Sequence, residues 1–215
     1  MLTVLVTGFE PFGGSGDNPS LRVVQALAAE PPACVHLRTA TLPVTYAAAG
    51  PALQSAIARH RPDVLLATGL AGGRAEICVE RVALNVDDAR MPDNAGELRI
   101  DQPVVPGGPA AYFAGVPIKA MVAAMRGAGV PARVSQTAGT FLCNHIFYLG
   151  SHLAATTHRG LSVGFLHLPW LPEQVADRAG EPSMALATII TGLRAAIDAA
   201  TQTAKDIRVA EGATS

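Results

Sequence analysis

Short apolar, β-branched runs alternate along the chain with stretches whose apolar residues recur at helical spacing. Thr3–Thr7 reads as a first strand, followed by a glycine-bearing loop to Asn18. Asn18-Pro19 pairs a good N-cap residue with a proline suited to the first helical position, and predicts a helix to about Ala29. Val35–Leu42 predicts a second strand and Thr45–His60 a second helix. Asp63–Thr68 is a third strand, ending in the loop Gly69-Leu70-Ala71-Gly72-Gly73. Glu76–Leu84 alternates more loosely and gives way to a Pro/Gly/Asp-rich excursion that lasts to Gly108. Ile118, Met121, Val122 and Met125 recur at i, i+3, i+4 and i+7, which is a helix stripe. Arg133–Thr137 predicts a further strand, and after Gly139 a helix runs through about Thr157. Ser162–Leu168 is the last core strand, and Leu186, Ile189, Ile190, Leu193 and Ile197 mark a C-terminal helix. The tail after Asp206, residues 207–215, is small and polar and is expected to fray.

Strands alternating with helices imply βαβ units, a largely parallel sheet and helices on both faces. No repeat or linker divides the chain, so the expectation is one α/β domain over residues 1–215, built as a three-layer sandwich. A chain of 215 residues can bury one sizeable core. Composition changes this little: 49% hydrophobic residues, 15% charged and a net charge of -1 exclude disorder and argue against a nucleic-acid partner. The opening MLTVLVTGFEPFGG has no basic stretch, and Gly8 and Glu10 break its apolar run, so it reads as a strand and not a signal peptide. Met184–Ile197 is interrupted by Thr188, Thr191 and Arg194 and cannot span a bilayer. A cytoplasmic protein without a membrane partner is expected.

Cys34, Cys78 and Cys143 are odd in number and widely spaced, which gives neither a disulfide framework nor a zinc knuckle. Ligands of open parallel sheets bind at the carboxyl ends of the strands. That rule selects Gly8–Gly14, Gly69–Gly73, Ala138–Asn144 and His167–Trp170. Cys143 falls in the first turn of its helix, where free N–H groups and the macrodipole favour a thiolate and could hold an oxyanion. The alternative is a cysteine packed beneath the sheet. His167 closes the last core strand and can reach the same edge, whereas His145 lies on a different helix face from Cys143. Glu80, within Ile77–Ala83, either orients an imidazole or pairs at the surface with Arg81. The loop Gly8-Phe9-Glu10-Pro11-Phe12-Gly13-Gly14 matches no phosphate-binding pattern, and its phenylalanines are either core or an apolar pocket wall.

The same residues carry a family resemblance. Thr7-Gly8-Phe9-Glu10-Pro11-Phe12-Gly13-Gly14, Gly69-Leu70-Ala71-Gly72-Gly73-Arg74 and Val79-Glu80-Arg81-Val82-Ala83-Leu84-Asn85 occur in order. They are followed by Asp88-Ala89-Arg90-Met91-Pro92-Asp93-Asn94, Ala138-Gly139-Thr140-Phe141-Leu142-Cys143-Asn144 and His167-Leu168-Pro169-Trp170-Leu171-Pro172-Glu173-Gln174. Together they resemble the type I pyroglutamyl peptidases from Val4 to about Gln174. The resemblance implies a twisted, parallel-rich sheet, no metal or organic cofactor, and peptide substrates with N-terminal pyroglutamate. It implies Cys143 as nucleophile, His167 as base and Glu80 as the residue orienting the imidazole. Phe9, Phe12 and Phe141 would line the pyroglutamyl pocket, and Arg90 would lie by the oxyanion site with the Cys143 N–H. Homotetramers are common among such proteins. Leu70 and Trp170 depart from the pattern and bear on substrate preference. Three rival functions remain open: an amidase for a cyclic amide, a non-catalytic binding protein, and a nucleoside phosphorylase, which would need a phosphate-binding cluster not evident here.

Overall fold

Asn18 begins the first helix as its sequence requires: its side chain accepts the Ser20 N–H, and Pro19 takes the first helical position. In the computed structural model, which describes residues 1–213, the chain order is β1 (Thr3–Phe9), α1 (Pro19–Ala29), β2 (His36–Leu42), α2 (Tyr46–His60) and β3 (Val64–Leu70). Then come β4 (Ile77–Glu80), β5 (Val82–Leu84), β6 (Ala111–Phe113), α3 (Ile118–Gly127), β7 (Ala132–Ser135), α4 (Leu142–Thr156), β8 (Ser162–Leu168) and α5 (Leu186–Gln202).

Six strands form one sheet in the order β2-β1-β3-β8-β4-β7. Strand residues alternate between two apolar layers. Val4, Val6, Val64, Leu66, Leu166 and Leu168 pack with α1, α3 and α5, while Leu5, Leu65, Ala67, Val163 and Phe165 pack with α2 and α4. The α/β sandwich with a mostly parallel sheet and helices on both faces is therefore present. The pairing of β4 with β8 is antiparallel, and β7 runs with β4. The segment Ala138–Asn144 thus does not leave the same sheet edge as β1, β3 and β8. It returns to that edge through a loop before α4 starts.

Other differences have local causes. Gly8 belongs to β1 and not to a loop: a Cβ there would stand 2.3 Å from the Ser20 carbonyl oxygen, because α1 crosses the strand at that point. The looser run Glu76–Leu84 splits at Arg81, and β5 leaves the main sheet to pair with β6 in a separate hairpin-like sheet.

The chain after α5 makes contacts with α3 in its described part. Asp206 accepts the N–H groups of Lys119 and Ala120 at the start of α3, and the Glu211 carboxylate meets Arg126 Nη1 at 2.5 Å. Residues 214–215 of that tail lie outside the described residues. Among the described residues no helix is long and apolar enough to cross a membrane.

Candidate active site

β3 and β8 are neighbours at the sheet centre, and their register sets Gly69 level with His167. Phe165 and His167, two residues apart, project toward the α4 layer, with ring centroids 4.9 Å apart at 61°. From the other side, β4 places Cys78 opposite His167, and Glu80 follows on the same face. The Glu80 Oε1 accepts from His167 Nδ1 at 2.7 Å and from Arg74 Nη1 at 3.0 Å. Glu80 is fully buried and His167 nearly so. The surface pairing of Glu80 with Arg81 does not occur: Arg81 instead donates to the Glu211 carbonyl. Because Nδ1–H points at the carboxylate, the hydrogen-bond pattern leaves Nε2 as the free, proton-accepting nitrogen. Glu80 Oε2 is buried without a hydrogen-bond partner. Such a carboxylate gains from any positive charge that develops on the imidazole.

Cys143 is the second residue of α4. The first backbone bond in the helix runs from His145 N–H to Phe141 O, so the N–H groups before it are unpaired within the helix. A Cβ on Gly69 would stand 2.7 Å from the Cys143 sulfur and 3.0 Å from the Phe165 ring. The sulfur therefore rests over the Gly69 main chain, beside the strand that carries His167. Helix-terminus electrostatics favour a thiolate, and burial acts the other way. Burial pushes the Cys143 thiol up to about 12, with the Glu80 carboxylate adding to the rise and Arg74 opposing it.

The residues that follow and precede Cys143 anchor the excursion after β5. The Asn144 amide accepts the Leu84 N–H and donates to the Leu84 and Val86 carbonyls, each at 2.9 Å. His145 Nδ1 meets the buried Asp87 carboxylate at 2.9 Å, and Asp87 pairs with Arg99 at 3.0 Å. Thr140 Oγ1 donates to the Asp88 carbonyl at 2.7 Å. His145 is thus committed to Asp87, in keeping with its exclusion as a base for Cys143. Arg74, Asn144 and Asp87 were not singled out in the sequence: Asn144 and Asp87 find partners far along the chain, and Arg74 reaches Glu80 only through the loop before β4.

Cys143 opens onto a cavity of about 630 Å³ that is also lined by Phe9, Phe12, Phe141, Arg90, Leu70 and Trp170. Phe12 and Phe141 face each other with centroids 5.3 Å apart, and Tyr46 meets Phe141 edge-on at 5.7 Å. Phe9 is mostly core, 4% exposed, and contributes only an edge. Arg90 is exposed and comes from the excursion that Thr140 and Asn144 hold. Phe9, Phe12, Arg90, Phe141 and Cys143 thus share one cavity, and the His167–Glu80 pair lies on β8 and β4, with His167 level with Gly69. Cys34 is exposed, far along the chain, and its thiol bonds Asp198.

A thiol at a helix start, seated over the glycine that lies level with a histidine held by a buried carboxylate, and opening onto a cavity walled partly by phenylalanines, fits a cysteine-type hydrolase. The chain belongs to the pyroglutamyl peptidase family, whose model matches residues 2–203. It is 54% identical over 216 residues to the pyrrolidone-carboxylate peptidase of Streptomyces coelicolor, with 100% of each chain covered. It is 51% identical over 214 residues to pyrrolidone-carboxylate peptidase 1 of Ralstonia nicotianae, with 99% of each covered. Among solved structures, pyroglutamyl peptidase I from Bacillus amyloliquefaciens superposes with a TM-score of 0.94 at 39% identity, covering 97% of this chain and 99% of that one.

Proposed function

We propose that this protein is a cysteine exopeptidase that removes pyroglutamate from peptide N-termini through Cys143, His167 and Glu80. The observation that carries the reading is the His167–Glu80 bond of 2.7 Å on the face where Gly69 makes room for the Cys143 sulfur. His167 Nε2 takes the thiol proton as the sulfur bonds to the pyroglutamyl carbonyl carbon. The buried Glu80 carboxylate offsets the charge on the resulting imidazolium. The oxyanion meets the free Cys143 N–H, with Arg90 nearby on the cavity wall. His167 then gives its proton to the departing amine as the amide C–N bond breaks, leaving a thioester. Water, losing a proton to His167, displaces the sulfur, and the proton returns to the thiol.

A neutral lactam suits a wall of Phe12 and Phe141, with an edge of Phe9. A prolyl substrate brings a charged amine against those rings and lacks the lactam carbonyl. An unpaired buried polar group costs on the order of 1–3 kcal/mol, and a desolvated charge costs more. Discrimination should therefore exceed roughly a hundredfold, at about 1.4 kcal/mol per tenfold. The test compares release of a chromogenic amine from pyroglutamyl, prolyl and glutamyl amides. Equal efficiency on prolyl and pyroglutamyl amides would sink this view of the pocket. Three unpaired cysteines favour a reducing, cytoplasmic setting. Exposed Phe113 and Ile100 offer apolar surface to a neighbouring subunit, in line with the homotetramer implied by the resemblance.

A further inference from the structure

The cavity, about 630 Å³, is far larger than a five-membered lactam, and its wall carries groups of a different character from the phenylalanines. Among them Trp170 packs closely on Gly72: a Cβ at Gly72 would stand 2.4 Å from the indole nitrogen and 2.8 Å from the fused ring carbon. Glycine is thus what lets the ring lie against the main chain. The indole N–H donates to Glu181 Oε1 at 3.1 Å, which fixes the ring's rotation. The Trp170 carbonyl accepts the Met184 N–H, so the strand end is tied as well. The Arg178 guanidinium sits over this ring, 5.1 Å from its centroid. Arg178 lines the cavity with Cys143 and has no carboxylate within ion-pair distance among the described residues.

The other charged groups on the cavity wall are Arg90, which also has no ion-pair partner among the described residues, and Asp17. Asp17 is already engaged, accepting the Asn18 N–H at 2.8 Å and facing Arg22 at 3.6 Å. The cavity wall therefore presents a guanidinium with open donors over an aromatic ring. A stacked guanidinium loses little freedom when it binds a planar, bidentate anion.

We propose that Arg178, carried on Trp170, recognises a carboxylate on the part of the substrate that leaves. This rests on the peptidase reading above and extends it to substrate preference. Two sources supply that chemistry: the terminal carboxylate of a pyroglutamyl dipeptide, and an acidic side chain on the residue after pyroglutamate. A half-exposed ion pair contributes up to about 1 kcal/mol, so the expected preference is about fivefold in KM.

The experiment measures KM and kcat for two matched substrate pairs. One is pyroglutamyl-alanine against its C-terminal amide. The other is pyroglutamyl-glutamate amide against pyroglutamyl-glutamine amide. The wild-type protein is expected to favour the carboxylate in at least one pair, and that pair identifies which carboxylate reaches Arg178. The preference should weaken as salt rises. Arg178→Gln should bring that ratio to one, and Trp170→Leu should lower it while leaving the guanidinium in place. Each ratio is taken within one protein preparation, so a loss of folded enzyme cancels. Ratios of one in both wild-type pairs, or a preference that survives Arg178→Gln, overturn the inference while leaving the peptidase reading intact. A wild-type protein that cleaves none of the four substrates overturns both.

Discussion

Cys143 illustrates two opposing effects on one sulfur. The free N–H groups of the α4 start favour a thiolate, whereas burial and the Glu80 carboxylate push the thiol from 9.0 up to about 12. On the proposed mechanism the nucleophile would then be made by proton transfer to His167 during attack, not stored in advance. The raised thiol also has a stability consequence. The unfolded thiol loses its proton near pH 9 while the folded one keeps it, so the unfolded state gains and the folded state does not. This group's contribution is present below about pH 9 and is lost as the pH climbs toward 12, at no more than about 1.4 kcal/mol per pH unit. Denaturant titrations of wild type and Cys143→Ala between pH 8 and pH 10.5 check this. The stability difference should shift in favour of the alanine variant as the pH rises, and parallel curves would contradict a buried, proton-bearing thiol.

At the scale of elements, the site is a product of register. Gly69 on β3 lies level with His167 on β8, and α4 brings Cys143 down onto the gap that glycine leaves. Gly69→Ala should fold, since its backbone is ordinary strand, but its methyl would press on the sulfur and on the Phe165 ring. We expect a fall in kcat of at least tenfold, with a loss in stability of about 1–3 kcal/mol. Near-normal kcat in a folded Gly69→Ala protein would mean that the sulfur's position is not critical.

The elements themselves were largely legible. Asn18-Pro19, the Ile118–Met125 stripe and the apolar runs of β3 and β8 state their structure locally. The loops at Gly8 and Gly69 were misplaced because both glycines serve close approaches by α1 and α4 inside strands, which no neighbouring residue announces. Strand direction was equally hidden: nothing within Ile77–Glu80 says that β4 opposes β8. Glu80 was legible as a candidate only because Cys143 and His167 called for a third group. Arg74, which shares its oxygen, was missed because that pairing exists only once the strand and the loop before it are placed.

Over the whole molecule, the family match ends at residue 203, yet the chain beyond it is tied back to the sheet edge that bears Glu80. Asp206 serves the start of α3, and Glu211 gathers Arg126, Arg81 and Gln136. Ending the chain after Lys205 removes one helix-start partner and one partly exposed ion pair, worth about 1–2 kcal/mol together. The melting midpoint should drop by about 2–8 °C; an unchanged midpoint in a thermal melt would show that these contacts contribute nothing.

The claim that joins site to fold is that the Cys143 sulfur itself carries the pyroglutamyl group. The direct measurement is mass spectrometry of protein quenched during turnover of a pyroglutamyl ester, followed by peptide mapping. The expected result is one pyroglutamyl group on Cys143 in the wild type and a burst of leaving group before steady state, with neither in Cys143→Ala. A modified Cys34 or Cys78, or full turnover by Cys143→Ala, would contradict the account.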